Sequence, residues 1–125
     1  MPEGGKPVGP YSPAVHAGDW VVTSGQIGAV VSDGGAPELV GGGTVSQLRQ
    51  ALANLETVLA SQGASLADVV KTVVFLADIS DYASLNEVWL ATFPEPRPAR
   101  SAIAVAALPL GASVEVEAWA YVPVR

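Results

Sequence analysis

The run Ser113–Val122 alternates strictly between two kinds of side chain. Successive residues of a strand point to opposite sides, so Val114, Val116, Ala118, Ala120 and Val122 share one face. Glu115, Glu117, Trp119 and Tyr121 share the other. The small apolar face fits beneath helices. A sealed core would reject two glutamates, and open solvent rarely holds Trp and Tyr together. A subunit interface that encloses a polar pocket accommodates both kinds. This strand therefore predicts a sheet covered by helices on one side and by another copy on the other, with sites between chains.

The rest of the chain supplies matching elements. Val15–His16 and Trp20–Ser24 read as two strands, with Gly18-Asp19 as a tight turn between them. Gly34-Gly35-Ala36-Pro37 and Gly41-Gly42-Gly43 read as a flexible connection with little structure of its own. That stretch lacks the spaced Gly-Lys-Ser/Thr of a P-loop. From Thr44 the period changes, and Val45, Leu48, Leu52, Leu55, Val58 and Leu59 fall on one helical face. Thr44 with Gln47 matches a capping box, and Gly63 suits the C-terminal cap. Ser65 with Asp68 resembles a second, short cap. Val69–Leu76 reads as a mostly buried strand.

Ser80 or Asp81 is placed to cap a second helix, with Leu85, Val88, Trp89 and Phe93 as its apolar stripe and Pro94 as its end. Pro94, Pro96 and Pro98 make a stiff, extended lead into Arg100. The last two strands are expected near Ser101–Ala107 and Ser113–Val122. The order is ββαβαββ, an α+β domain with two helices packed on one face of a sheet. No internal repeat or long linker divides the 125 residues, so residues 1–125 read as one domain.

Composition removes several function classes. The formal charge is −6, and six basic residues are scattered without a basic stripe, so no nucleic-acid partner is expected. No apolar run approaches the ~20 residues needed to span a bilayer, so no membrane partner is expected either. The chain has no cysteine, which excludes disulfides and thiolate ligands. Met1–Lys6 lacks the basic-then-apolar pattern of a secretory signal, and a cytoplasmic location is the expectation. His16 is the single histidine and no HxxxH-type spacing exists, so no metal site is expected.

Two of the six basic residues, Arg97 and Arg100, fall together at the head of a strand-like segment. A guanidinium set into an apolar strand is costly without an anion, and Arg grips a carboxylate through a planar fork. Arg100 is thus a candidate anchor for a small carboxylate; the competing reading is a structural ion pair with Glu115 or Glu117. Glu115 is the candidate acid or base, although alternation alone does not separate it from Glu117. Tyr11, in the turn Gly9-Pro10-Tyr11-Ser12, could pack over a ligand or act as a structural tether. Ser24-Gly25 ends the second strand, where Gly25 allows close approach to the backbone. Asn86 faces either a loop or a ligand.

Taken together, these segments resemble the reactive-intermediate deaminase family (Rid, YjgF-type or L-PSP). The resemblance rests on Gly9–Ala14, Ser24–Ile27, Gln50–Leu55, Val70–Asp78, Asn86, Pro98–Ser101 and Val114–Glu117, in that order and spacing. It implies a chorismate-mutase-like fold and a homotrimer with three clefts between subunits. It also implies hydrolysis of reactive 2-imino or enamine acids, such as 2-aminoacrylate and 2-iminobutyrate, to 2-keto acids and ammonia. No metal or organic cofactor is implied. By position, Arg100 would hold the substrate carboxylate and Glu115 would activate the attacking water. Tyr11, Ser24 and Gly25 would line the cleft, with Asn86 close by.

Two positions depart from the archetype. Ala102 stands where many members carry Cys, and Pro13 where Gln is common. These departures leave the preferred substrate open. Two other readings stand beside the deaminase: a non-enzymatic ligand-binding or interaction module on the same trimeric fold, and an endoribonuclease or translation inhibitor.

Overall fold

A computed structural model describes residues 9–123, so the reading of Met1–Lys6 lies outside the described residues. The strands are β1 (Ala14–Ala17), β2 (Trp20–Thr23), β3 (Gln26–Ile27), β4 (Ala29–Val30), β5 (Glu38–Leu39), β6 (Val69–Leu76), β7 (Ala99–Ala104) and β8 (Val114–Tyr121). The helices are α1 (Thr44–Ala60) and α2 (Leu85–Thr92). The main sheet runs β1-β2-β8-β6-β7, with β3 continuing the line of β2 along the same edge of β8. β6 and β7 are parallel and the other neighbours antiparallel. Parallel neighbours need a crossover, which α2 supplies between β6 and β7.

Both helices pack on one face, as the sequence predicts. Leu48, Leu55 and Leu59 of α1 and Leu85 of α2 are fully buried together with Val74, Leu76, Val114 and Val116 of the sheet. The alternation in β8 resolves as expected. Val114, Val116, Ala118 and Ala120 are buried, Glu115 and Glu117 are half-buried, and Trp119 and Tyr121 are exposed. The open face of the sheet also exposes Trp20, which stacks edge-on against Tyr121 with ring centres 5.1 Å apart.

Several local expectations are corrected. The glycine-rich connection carries a small hairpin, in which Ala29–Val30 pairs with Glu38–Leu39. Thr44 and Gln47 do not form a capping box, and Gly43 takes the cap position. Thr44 Oγ1 donates to Asp81 Oδ2 and shares a hydroxyl–hydroxyl bond with Ser113 Oγ, while Gln47 Oε1 accepts from the Ser113 amide. These side chains thus tie the start of α1 to the entry of β8. Neither Ser80 nor Asp81 caps α2. Asp78 accepts from the amide and hydroxyl of Ser80, capping a 3-10 turn, and α2 follows Ser84 without a side-chain cap. β7 begins two residues earlier than expected and stops at Ala104.

Other caps hold. Gly63 adopts the left-handed conformation at φ 76°, which lets its amide reach Ala60 O and the Ala64 amide reach Leu59 O. This is a Schellman closure, for which glycine is favoured. Ser65 and Asp68 form the short capping box. In the proline-rich lead, the Glu95–Pro96 bond is cis.

Candidate active site

Arg100 is the second residue of β7, opposite buried Thr72 of β6, and its side chain reaches the helix-covered side at the edge of the sheet. Its Nη2 donates to Asn86 Oδ1 at 2.9 Å and to the Tyr82 hydroxyl at 3.4 Å. The guanidinium carbon lies 5.0 Å from the centre of the Trp89 ring and 5.4 Å from that of Tyr82. Both distances fall within cation–π range. Among the described residues no carboxylate pairs with Arg100, so neither Glu115 nor Glu117 fulfils the structural ion-pair reading. The fork is held in place by two neutral acceptors and two aromatic faces, with no carboxylate on it among the described residues.

In front of it opens a hollow of about 410 Å³, lined by Asn86, Trp89, Leu90, Arg97, Pro98 and Arg100. Tyr82 and Trp89 were not singled out as site residues from sequence. Their signal was present: Tyr82, Asn86 and Trp89 are spaced to share one helical side, the side that meets Arg100. Trp89 serves both purposes, being buried in the core and stacked against Phe93 with ring centres 4.8 Å apart.

Glu115 belongs to a second group on the opposite side of the sheet. Its neighbours Val114 and Val116 point into the helix-covered core, so Glu115 points away from it. Its backbone is flanked by Ile27 of β3 and Phe75 of β6. Burial pushes the Glu115 carboxyl above its ordinary value, and the like charge of Glu117 adds to the shift.

Gly25 forms the floor beneath that carboxylate. A Cβ at Gly25 would lie 2.6 Å from Glu115 Oε2 and 2.7 Å from its Cδ. The chain bows at this point because the β2–β8 ladder passes to a side chain, with the Ala118 amide donating to Thr23 Oγ1 at 3.0 Å. Ser24 fastens the bow to the N-terminal segment: its amide donates to Pro13 O at 2.8 Å and its hydroxyl to Ser12 O at 2.7 Å. Tyr11, adjacent to Ser12, is exposed, and its ring lies against Gly9.

The predicted residues therefore fall into two groups, Arg100 with Asn86 and Glu115 with Ser24 and Gly25. One chain does not bring Arg100 and Glu115 together, because the sheet lies between their side chains. Ala102 shares the Arg100 side of β7 and packs against the core. His16 stands apart from both groups, its Nε2 3.0 Å from Gln62 O at the end of α1. Among the described residues no group of three or more His, Cys, Asp or Glu is arranged to hold a metal ion, and no helix is long and apolar enough to cross a membrane.

Comparison with known proteins agrees with this architecture. Residues 3–122 match the family model described as endoribonuclease L-PSP. A RutC family protein of Pyrococcus horikoshii is 43% identical over 116 residues, covering 93% of this chain and 90% of its own. The 2-iminobutanoate/2-iminopropanoate deaminase of Mus musculus is 45% identical over 113 residues, covering 90% of this chain and 82% of its own. The crystal structure of RidA from an Antarctic Psychrobacter superposes with a TM-score of 0.86 at 44% identity, covering 96% of this chain and 94% of that one. By sequence and by structure alike, the chain belongs to the endoribonuclease L-PSP family, the Rid/YjgF proteins.

Proposed function

We propose that this protein hydrolyses reactive 2-imino and enamine acids of the 2-aminoacrylate and 2-iminobutyrate kind, releasing a 2-keto acid and ammonia. The observation that carries the reading is Arg100, a guanidinium fixed by Asn86, Tyr82 and Trp89, without a carboxylate partner among the described residues, at the wall of an open hollow. Such a group is preorganised for a small carboxylate. The deaminase names carried by relatives at 41–45% identity support the same chemistry.

The complete site in this reading lies between copies in a homotrimer. Arg100 and Asn86 of one copy face Glu115, Gly25, Ser24 and Tyr11 of the next. The exposed aromatics on the open sheet face support such a contact. Arg100 holds the substrate carboxylate and fixes the imine carbon near Glu115. The Glu115 carboxylate takes a proton from water as the water oxygen bonds to C2 and the C=N electron pair moves to nitrogen. Nitrogen takes that proton back from Glu115 to give the carbinolamine. The hydroxyl proton then passes to nitrogen by way of Glu115 as the carbonyl forms and the C–N bond breaks, so ammonia leaves carrying both protons of the water. General-base help of this kind contributes ~10²–10⁴-fold, and orientation adds to it. The imine is already electrophilic, so the residues at hand suffice. Ala102 is compatible with this scheme, in which no thiol takes part.

The test is 2-keto acid and ammonia release from 2-aminoacrylate or 2-iminobutyrate generated in situ by a serine/threonine dehydratase. Acceleration by the wild type, lost in Arg100→Ala, is expected. A folded wild type that accelerates neither imine overturns the reading.

A further inference from the structure

Arg97 lines the same hollow as Arg100, yet the reaction as described makes no use of it. The residues are three apart along an extended lead, so their Cα atoms lie within about 10 Å of each other. Between and around them the hollow is walled by Trp89, Leu90 and Pro98. Leu90 is 61% exposed and offers no polar group.

Among the described residues Arg97 pairs only with Glu95, through a single Nη1–Oε1 contact of 3.4 Å. That glutamate is 84% exposed against 34% for the arginine. An ion pair this long, with one partner almost wholly in solvent, is worth little and yields readily to a better-placed anion. The hollow thus presents two guanidiniums in a chain whose formal charge is −6. A substrate with a single carboxylate satisfies Arg100 and leaves Arg97 idle.

We propose that Arg97 is a specificity-determining residue that selects imino acids bearing a second carboxylate, the 2-imino dicarboxylic acids formed by oxidation of acidic amino acids. This inference rests on the deaminase reading. The α-carboxylate sits on Arg100, the side-chain carboxylate reaches Arg97, and the short methylene spacer lies along Trp89 and Pro98. Hydrolysis follows the same balance as before: water adds to C2 and ammonia leaves.

The experiment compares 2-iminobutyrate with the imines of aspartate and glutamate, each generated in situ by an amino-acid oxidase. The ratio of kcat/KM for dicarboxylic over monocarboxylic imine is measured in wild type, Arg97→Ala, Arg97→Lys and Glu95→Gln. The ratio should favour the dicarboxylic imines in wild type and fall about tenfold in Arg97→Ala, chiefly through KM, as for loss of one charge-assisted contact. Arg97→Lys should retain most of the preference, and Glu95→Gln, which frees Arg97, should raise it. Turnover of 2-iminobutyrate with the same ratio in wild type and Arg97→Ala overturns the proposal and leaves the deaminase intact. Failure of wild type on every imine overturns the deaminase reading itself.

Discussion

Gly25 and Glu115 occupy space that only a glycine leaves open: a Cβ at position 25 would stand 2.6 Å from Glu115 Oε2. The contact joins the bow between β2 and β3 to the proposed water-activating carboxylate on β8. Gly25→Ala should therefore displace Glu115 rather than unfold the protein, because the displaced atoms are the end of a flexible side chain. Imine hydrolysis should fall about 100-fold, the scale of an ångström-sized misplacement. Thermal unfolding should shift by less than about 1 kcal/mol. Paired kinetic and melting measurements on the one variant check both halves.

The raised pKa of Glu115 sets the acid limb of activity. A general base must be ionised, so kcat/KM should climb with pH through a pKa that burial raises above the ordinary glutamate value. Glu117→Gln removes the repelling charge and should move that limb to lower pH. Burial, the larger cause, remains, so part of the elevation persists. The stability sign runs the other way from a paired carboxylate. The folded form holds the Glu115 proton more tightly than the unfolded form, so this contribution is complete at low pH and fades as pH rises through the folded pKa. Glu115→Gln should accordingly gain stability over wild type at neutral pH, with the gain shrinking in acid. A pH–rate profile and a pH series of melting curves read the two effects separately.

Asn86 keeps Arg100 aimed without neutralising it. Asn86→Asp puts a carboxylate in the place of the amide and creates an ion pair that Arg100 lacks among the described residues. The substrate carboxylate then competes with an internal one, and KM should rise by about tenfold or more. Asn86→Ala leaves the charge free but unaimed and should cost less. Steady-state kinetics on 2-iminobutyrate distinguish the two, and Asp proving no worse than Ala would count against the anchor role.

Asn54 positions the Gly25 segment from a distance. Its buried Nδ2 donates to Ile27 O at 3.0 Å and to Ala29 O at 2.8 Å, while its Oδ1 accepts from Gln50 Nε2 at 2.9 Å. Asn54→Leu strands two carbonyls against α1 and should destabilise the fold by about 3 kcal/mol. Denaturant unfolding measures it directly.

The large-scale fold was legible because its signals are periodic. The helical stripe of α1 and the alternation of β8 bury the predicted faces, whereas β6, read as mostly buried, buries only Val69, Thr72, Val74 and Leu76 and exposes Val70, because one side of the sheet is open. What the sequence hid was decided by distant partners. Thr44 and Gln47 have the right spacing for a capping box, yet bonds to Asp81 and Ser113 claim their side chains. β3 and the β4–β5 hairpin are two-residue strands, too short for any period to register. Arg100 and Glu115 were visible as chemistry, but their placement on opposite sides of the sheet depends on which neighbours each strand acquires. Trp89 reads as core from sequence and Tyr82 carries no assignment there; their place beside Arg100 needs the packing of α2 on β7 to be seen.

In the proposed reaction, Arg100 of one copy and Glu115 of another complete a single deaminase site. The most direct measurement mixes Arg100→Ala and Glu115→Gln proteins, each nearly inactive alone, after dissociation and reassembly, and follows 2-iminobutyrate hydrolysis. Turnover should return in the mixture, because some interfaces then carry a native Arg100 opposite a native Glu115. Mixed oligomers detected by native mass spectrometry without any recovery of turnover would contradict it.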